Sequence, residues 1–141
     1  MQKLIYYPFV LSFLAAACSS DDRGIGATTS DNDIDAARNF IQASLVGDFD
    51  RAKIFMIDDS LNLEMLNTIE RWKERQTREE KEKYQAASIR IHDHRNVNDS
   101  TSIITYSNSY KNKRDSLKVI KLGGKWLVDF KYIFNKTDSL P

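Results

Sequence analysis

The sequence predicts an α+β domain in which N-terminal helices pack on a four-stranded antiparallel meander sheet. Apolar residues recur at helical spacing between residues 33 and 72, and from residue 88 onward apolar and polar residues alternate with a period of two. Turn-forming pairs separate the alternating segments, most clearly at Gly123-Gly124. Helices followed by strands are typical of the α+β class. A sheet with one apolar face needs a cover, which the helices can supply.

The first two predicted helices are separated by Gly47, a residue that favours a helix C-terminus. Asp33 is positioned to cap the first helix. The inward face of this helix consists of Ile34, Ala37, Ile41 and Leu45, with Phe40 and Ser44 beside it. Asp48 or Asp50 can then cap a short second helix. The core-forming residues of the second helix are Ala52, Phe55 and Met56.

A third helix is predicted to begin at Asp58-Asp59-Ser60. Its apolar stripe consists of Leu61, Met65, Ile69 and Trp72, with Leu66 on the flank. Residues 70–83 are almost entirely charged, which favours a solvated helix end, with a partner-binding surface as the alternative. The favourable pairs four residues apart are Glu74 with Arg78 and Glu79 with Lys83. The pattern is compatible with one helix or with two.

Four strands are predicted after residue 87, over residues 88–95, 101–111, 116–122 and 125–134. Turn signals at Asn98-Asp99, Asn112-Lys113 and Gly123-Gly124 connect them. By alternation, one face of the last strand consists of Trp126, Val128, Phe130 and Tyr132, and the other of Leu127, Asp129, Lys131 and Ile133. Asp129 is therefore predicted to face solvent.

The segment before the domain has the features of an export signal. Residues 4–17 follow Lys3 and carry no charge. As a helix they would span about 21 Å, which is short of the roughly 30 Å of a bilayer core. The stretch Leu14-Ala15-Ala16-Ala17-Cys18 resembles a bacterial lipobox, and Cys18 is the only cysteine. The resemblance implies cleavage before Cys18 and multiple acylation of its thiol, which would hold the chain on a membrane. A plain signal peptide or an uncleaved anchor is the alternative.

The residues after Cys18 refine the expected location. Ser19-Ser20 stand there rather than an aspartate, which by resemblance favours the outer membrane. A serine followed by Asp21-Asp22 resembles the surface-export signal of Bacteroidota-type lipoproteins, so both the periplasmic face and the cell surface are open. The predicted organisation is a signal peptide over residues 1–17, a lipidated cysteine and flexible tether over 18–32, a single domain over 33–135 and a tail over 136–141.

The net charge of the chain indicates which classes of partner are expected. Without residues 1–17 the chain has 20 basic and 20 acidic residues, so no general attraction to nucleic acid is expected. Phosphate-binding glycine loops, paired metal cysteines and serine or cysteine nucleophile motifs are absent from the sequence. No cofactor is expected, and the expected partners are the membrane and an envelope protein.

The ends of the domain resemble those of a family of small bacterial lipoproteins of unknown function. The residues that carry the resemblance are Ala37, Phe40, Gly47-Asp48, Phe49 and Ala52, then Leu122-Gly123-Gly124-Lys125-Trp126-Leu127-Val128. Domains of this family are similar to the nuclear transport factor two-like and cystatin-like superfamily. The resemblance implies that fold for residues 33–134. Some relatives are isomerases or dehydratases, but the motifs shared here are structural.

His92-Asp93-His94 is the one candidate for a metal site. In a regular strand the two imidazoles point to the same face and could share Zn²⁺ or Cu²⁺. Asp93 would point to the other face, so it is not an obvious third ligand, and Asp99 in the adjoining turn is only a conceivable one. The polar face of a half-buried strand is therefore favoured, and no metal is assigned.

The aromatic residues of the strands are the candidates for a ligand site. Tyr106 and Tyr110 are predicted to share one strand face, and Trp126 and Phe130 another, where they could line a pocket for an apolar or glycan ligand. Packing in the core is the more common role of such residues.

Three functions follow from these patterns. The favoured one is a non-catalytic binding or accessory module of the envelope. The alternatives are an isomerase- or dehydratase-like enzyme on the concave face of the sheet, and a structural partner recruited through residues 70–83.

Overall fold

The computed structural model describes residues 28–133, in which helices precede an antiparallel sheet as predicted. The helices are α1 (Asp33–Val46), α2 (Phe49–Ile54), α3 (Ser60–Glu74) and α4 (Arg78–Gln85). The strands are β1 (Ile89–Asn98), β2 (Thr101–Asn108), β3 (Asp115–Leu122) and β4 (Lys125–Asp129). The sheet order is β1-β2-β3-β4, with every neighbouring pair antiparallel. This arrangement confirms the α+β class and the meander.

The N-terminal cap of helix α1 lies one residue earlier than predicted. The side chain of Asn32, not that of Asp33, accepts the Asp35 N–H at 2.9 Å. Asp33 is therefore the first helical residue, and its carboxylate is free to turn toward the sheet, where it is buried. At the other end Gly47 has φ +85° and ends the helix, as the sequence predicted.

The connection after α2 protects the edge of the sheet. Asp48 caps α2, and the chain then pairs in parallel with β4. The N–H of Ile57 donates to the carbonyl of Val128 at 2.9 Å, and the N–H of Val128 donates to the carbonyl of Phe55 at 2.8 Å. An uncovered β4 would present an open strand edge, so this short bridge removes a template for aggregation.

The buried face of α3 differs from the predicted stripe. Leu61 and Trp72 are 52% and 48% exposed, whereas Leu66 is fully buried. Two polar residues, Asn62 and Lys73, share the buried face. Each of them forms hydrogen bonds with backbone groups outside α3. The prediction of the buried face considered apolar residues only, so it did not include these two polar side chains.

The charged segment forms the end of α3 and a separate helix, α4. Thr77 caps α4 in a reciprocal capping box with Glu80, which starts a new helix after the chain leaves α3. The predicted pair of Glu79 and Lys83 is present at 2.6 Å. Arg78 pairs with Glu82 at 2.8 Å within α4, rather than with Glu74 as predicted.

Strand β4 ends at Asp129, five residues before its predicted end. The N–H of Lys131 donates to the side chain of Asn62 at 2.8 Å, so the chain turns toward α3. Asp129 itself is only 6% exposed. The prediction that it faces solvent is therefore wrong. Its carboxylate lies 3.6 Å from the ammonium of Lys118, its cross-strand partner, and 3.4 Å from that of Lys131.

The helices and the sheet share one hydrophobic core. Phe40 of α1, Leu66 of α3, and Ile104 and Val119 of the sheet are members of this cluster. Gly123 and Gly124 have φ values of +55° and +79°, which is the geometry of the tight hairpin predicted between β3 and β4.

Candidate functional site: two cavities beside the core

The first cavity, here called the helix–sheet pocket, has a volume of about 290 Å³ and lies between α1, α3, α4 and the sheet. Its walls are mainly apolar and aromatic. They consist of Phe40, Ile41, Ser44, Leu45, Ile69, Trp72, Lys73, Tyr84, Tyr106, Asn108, Asp115, Phe130 and Ile133. The predicted ligand candidates Tyr106 and Phe130 are among them.

Contacts between aromatic rings hold the walls of the helix–sheet pocket in place. The ring of Tyr84 meets those of Trp72 and Tyr110 edge to face, with centroids 5.8 and 4.9 Å apart. Phe40 and Phe130 form a second pair at 5.1 Å. Such pairs contribute roughly 0.5–1.5 kcal/mol each beyond the area they bury. The pocket walls are therefore largely preformed.

Two of the predicted aromatic candidates lie elsewhere. Tyr110 follows the end of β2 in a turn, so it does not share a strand face with Tyr106 as predicted, and it supports the pocket through Tyr84. Trp126 borders a different cavity. All four candidates pack in or against the core, as the sequence favoured.

Lys73 is a buried cation in the wall of the helix–sheet pocket. Its ammonium donates to the carbonyls of Ser44, at 3.0 Å, and Leu45, at the C-terminus of α1. Burial, and after it the charge of Lys81, lowers the pKa of Lys73. A Cβ at position 47 would lie 3.3 Å from the Lys73 side chain, so Gly47 leaves room for this contact. Lys73 thus ties α3 to the negative end of the α1 dipole.

Tyr106 is the partly buried titratable group that β2 contributes to the pocket. Burial, and then the charge of Asp115, raises the pKa of its phenol. The hydroxyl therefore keeps its proton at physiological pH, and it is suited to hydrogen bonding rather than to accepting a proton.

The second cavity, here called the polar cavity, has a volume of about 340 Å³ and lies where the N-terminus of α1 meets the β1–β2 turn. It is lined by Asp33, His94, Asn96, Asn98, Asp99 and Trp126. Five of these six side chains are polar, which distinguishes the polar cavity from the helix–sheet pocket.

Asp33 is the centre of a hydrogen-bonded cluster in the polar cavity. Its Oδ2 lies 2.7 Å from Nε2 of His94 and also accepts the hydroxyl of Ser102. Its Oδ1 accepts the N–H of Ile34 at 2.9 Å. Burial opposes ionisation of Asp33, but the hydrogen bonds from Ser102 and His94 outweigh it, and the pKa of the carboxyl lies below its ordinary value.

The Asp33 cluster does not have the connectivity of a nucleophilic triad. In a triad the imidazole lies between the hydroxyl and the carboxylate and takes the hydroxyl proton. Here His94 and Ser102 both bond to Asp33, and Ser102 is 1% exposed. The arrangement orients polar groups at the cavity wall.

Lowering the pH is expected to remove the stabilising contribution of Asp33. Because the folded-state pKa lies below 3.8, this contribution is complete above the unfolded-state pKa and is lost as the pH falls through the folded-state pKa. Asp33→Asn should therefore destabilise the protein more at pH 7 than near pH 3, as measured by urea unfolding. Asp31→Asn, at an exposed neighbouring position, is the matched control. An equal loss at both pH values would contradict this prediction.

The predicted pair of His92 and His94 is separated by a β-bulge. The register between β1 and β2 shifts between Ile91 and Asp93, so the simple alternation of faces fails at His92. His92 lies 2.8 Å from the hydroxyl of Ser107, whereas His94 reaches Asp33 of α1. Within residues 28–133 there is no group of three histidine, cysteine or acidic side chains placed to hold a metal ion.

The sequence interpretation missed the pairing of Asp33 with His94. The two residues are 61 positions apart, and no local pattern joins them. Lys73 was missed because it falls in a charged run, although its spacing from Leu66 and Ile69 places all three on one helical face.

Cys18 and the predicted signal peptide, most of the tether and the tail lie outside the described residues. None of the helices within residues 28–133 has the length and apolar character needed to cross a bilayer. Searches against protein-family models, curated proteins and solved structures find no match for this chain.

Proposed function

We propose that this protein is a lipid-anchored binding module of the cell envelope that holds a small apolar ligand in the helix–sheet pocket. The observation that carries the proposal is an apolar cavity of about 290 Å³, lined by aromatic side chains that contact one another. Small-molecule sites are concave and mostly apolar, with volumes of roughly 300–1,000 Å³. The pocket lies just below the lower limit of this range, which suits a single ring or a short alkyl chain.

The polar groups of the helix–sheet pocket favour binding over catalysis. Lys73 is held by the carbonyls of Ser44 and Leu45, and Tyr106 keeps its proton. The pair formed by Asp33 and His94 belongs to the polar cavity. We therefore propose a non-catalytic role and regard an isomerase or dehydratase as the less supported alternative.

The fold and the location form part of the same proposal. Helices followed by a four-stranded meander, with α1 across the sheet, support a nuclear transport factor two-like or cystatin-like domain. The lipobox-like stretch that ends at Cys18 supports attachment to the outer membrane through acyl chains. An envelope protein that delivers or receives the ligand is the proposed partner.

Titration of a single-tryptophan variant tests the proposed ligand site. Trp72 lines the helix–sheet pocket, and the chain has two tryptophans, so Trp126→Phe leaves Trp72 as the reporter. Trp72 is 48% exposed, and a ligand that covers its ring should shift the emission to shorter wavelength. We expect a saturable shift with 1-octanol, an uncharged alkyl probe.

Two variants of α1 show whether the probe enters the helix–sheet pocket. Ser44→Phe fills the pocket and should abolish the shift, whereas Gln42→Phe places the same ring on the exposed side of the helix and should preserve it. An unsaturable shift, or an equal response of both variants, would argue against a ligand site here.

A further inference from the structure

We propose that the polar cavity is a second binding site, independent of the helix–sheet pocket, and that it takes an uncharged saccharide. The cavity combines one partly exposed aromatic ring, Trp126, with five polar side chains that converge on it. A sugar ring has one face of C–H groups, which packs on an aromatic ring, and a rim of hydroxyls, each of which both donates and accepts hydrogen bonds.

The polar side chains supply both donors and acceptors. Oδ1 of Asn98 accepts the N–H of Ser100 at 2.9 Å, which leaves the two N–H groups of the amide as donors. Within residues 28–133 the exposed carboxylate of Asp99 has no ion-pair partner, so its oxygens remain available as acceptors. Both residues lie at the end of the β1–β2 hairpin, on the rim of the polar cavity.

The floor of the polar cavity is held in a defined geometry. Asp33 is fixed by His94, Ser102 and the N–H of Ile34. Nε2 of His94 is engaged with Asp33, so the other ring nitrogen remains for a further hydrogen bond. A preorganised polar wall lowers the entropic cost of binding a neutral ligand.

Charge distinguishes a saccharide from other polar ligands. The carboxylates of Asp33 and Asp99 would repel a phosphate or a carboxylate ligand. A cation would be attracted by these acids but repelled by the ammonium of Lys121, which lies 5.6 Å from the centre of the Trp126 ring. An uncharged ligand with many hydroxyls avoids both conflicts.

The surroundings of Trp126 suggest that more than one sugar unit can bind. A third cavity, of about 240 Å³, borders the same tryptophan and is lined in part by the hydroxyl residues Thr28, Thr29 and Ser30. A short oligosaccharide that runs past Trp126 could occupy both cavities. We therefore expect oligosaccharides to bind more tightly than their monosaccharides.

Saturation-transfer NMR and Trp126 fluorescence test this site. In a Trp72→Phe variant Trp126 is the remaining tryptophan, so its emission reports on the polar cavity and not on the helix–sheet pocket. The probes are glucose, galactose, mannose, N-acetylglucosamine and their short oligomers. We expect saturation transfer to at least one of these sugars, with a saturable change in Trp126 emission.

Matched substitutions locate the binding. Asp99→Ala removes an exposed acceptor at the cavity rim and should weaken binding roughly tenfold. Asp93→Ala removes an equally charged, exposed residue of β1 that does not line the polar cavity, and it should leave the affinity unchanged. Absence of transfer to every sugar of the panel, or an equal loss in both variants, would overturn the proposal. So would saturable binding of choline or phosphate in place of the sugars. The octanol titration of Trp72 is read separately, so either site can fail without the other.

Discussion

Replacing Cys18 by serine is expected to release the protein from membranes almost completely. The thiol of Cys18 is the only one in the chain, and a serine hydroxyl cannot form the thioether through which a lipobox cysteine is acylated. Each methylene buried in the bilayer contributes roughly 0.8 kcal/mol, and stable anchoring needs more than one chain.

Fractionation of cells that express each variant gives the measurement. The unsubstituted chain should sediment with the membrane fraction, and Cys18→Ser should appear in the soluble fraction. Ser20→Ala, two positions along the predicted tether, is the matched control and should sediment like the parent. The octanol response of Trp72 should persist in the released protein, because the proposed binding needs only the residues that line the helix–sheet pocket. Sedimentation of Cys18→Ser with membranes would mean that something other than this thiol holds the protein there.

Asn62→Ala is expected to lower the free energy of unfolding by about 3 kcal/mol. Asn62 is fully buried at the start of α3. Its Oδ1 accepts the N–H of Lys131 at 2.8 Å, and its amide donates to Asp59 at 3.0 Å and reaches Asp129 at 3.4 Å. Each buried polar group left without a partner costs roughly 1–3 kcal/mol.

Asn67→Ala on the same helix provides the control for Asn62→Ala. Asn67 is exposed, so its replacement brings the same gain in helix propensity without breaking buried hydrogen bonds. Its effect on stability should stay within about 0.5 kcal/mol. Urea unfolding gives the free energy of unfolding of both variants. The difference between the two values measures the contribution of the buried hydrogen bonds of Asn62. Equal stabilities would mean that Asn62 does not link α3 to the end of β4.

Local patterns were sufficient to predict the order of the elements. The alternation after residue 88 and the glycine pair at Gly123-Gly124 correctly predicted the hairpins, because a tight turn with two positive φ angles has few compatible sequences. Gly47 ended α1 for the same reason. These features depend only on residues that are close together in the sequence, so they can be predicted from the sequence alone.

The buried faces of the helices and strands were harder to predict than the helices and strands themselves. In α3 the apolar stripe pointed to Leu61 and Trp72, but the helix buries Asn62 and Lys73 instead. In β1 the bulge at His92 broke the alternation that would have paired its imidazole with that of His94. A one-residue shift in register moves a strand side chain to the other face of the sheet. The amino-acid composition of the strand does not indicate where such a shift occurs.

The sequence by itself determined the α+β class, the end of α1 at Gly47, the hairpin at Gly123-Gly124 and the lipobox-like motif at Cys18, because each rests on local chemistry. The tertiary structure alone decided which polar side chains are buried. Asp33, Lys73 and Asp129 turn inward because the fold brings their partners to them. These partners are His94 for Asp33, the carbonyls of α1 for Lys73, and Lys118 and Lys131 for Asp129. A polar side chain is stable inside a protein when it is hydrogen-bonded or ion-paired there. Hydrogen-bond and ion-pair partners that are far apart in the sequence can be identified only from the folded structure.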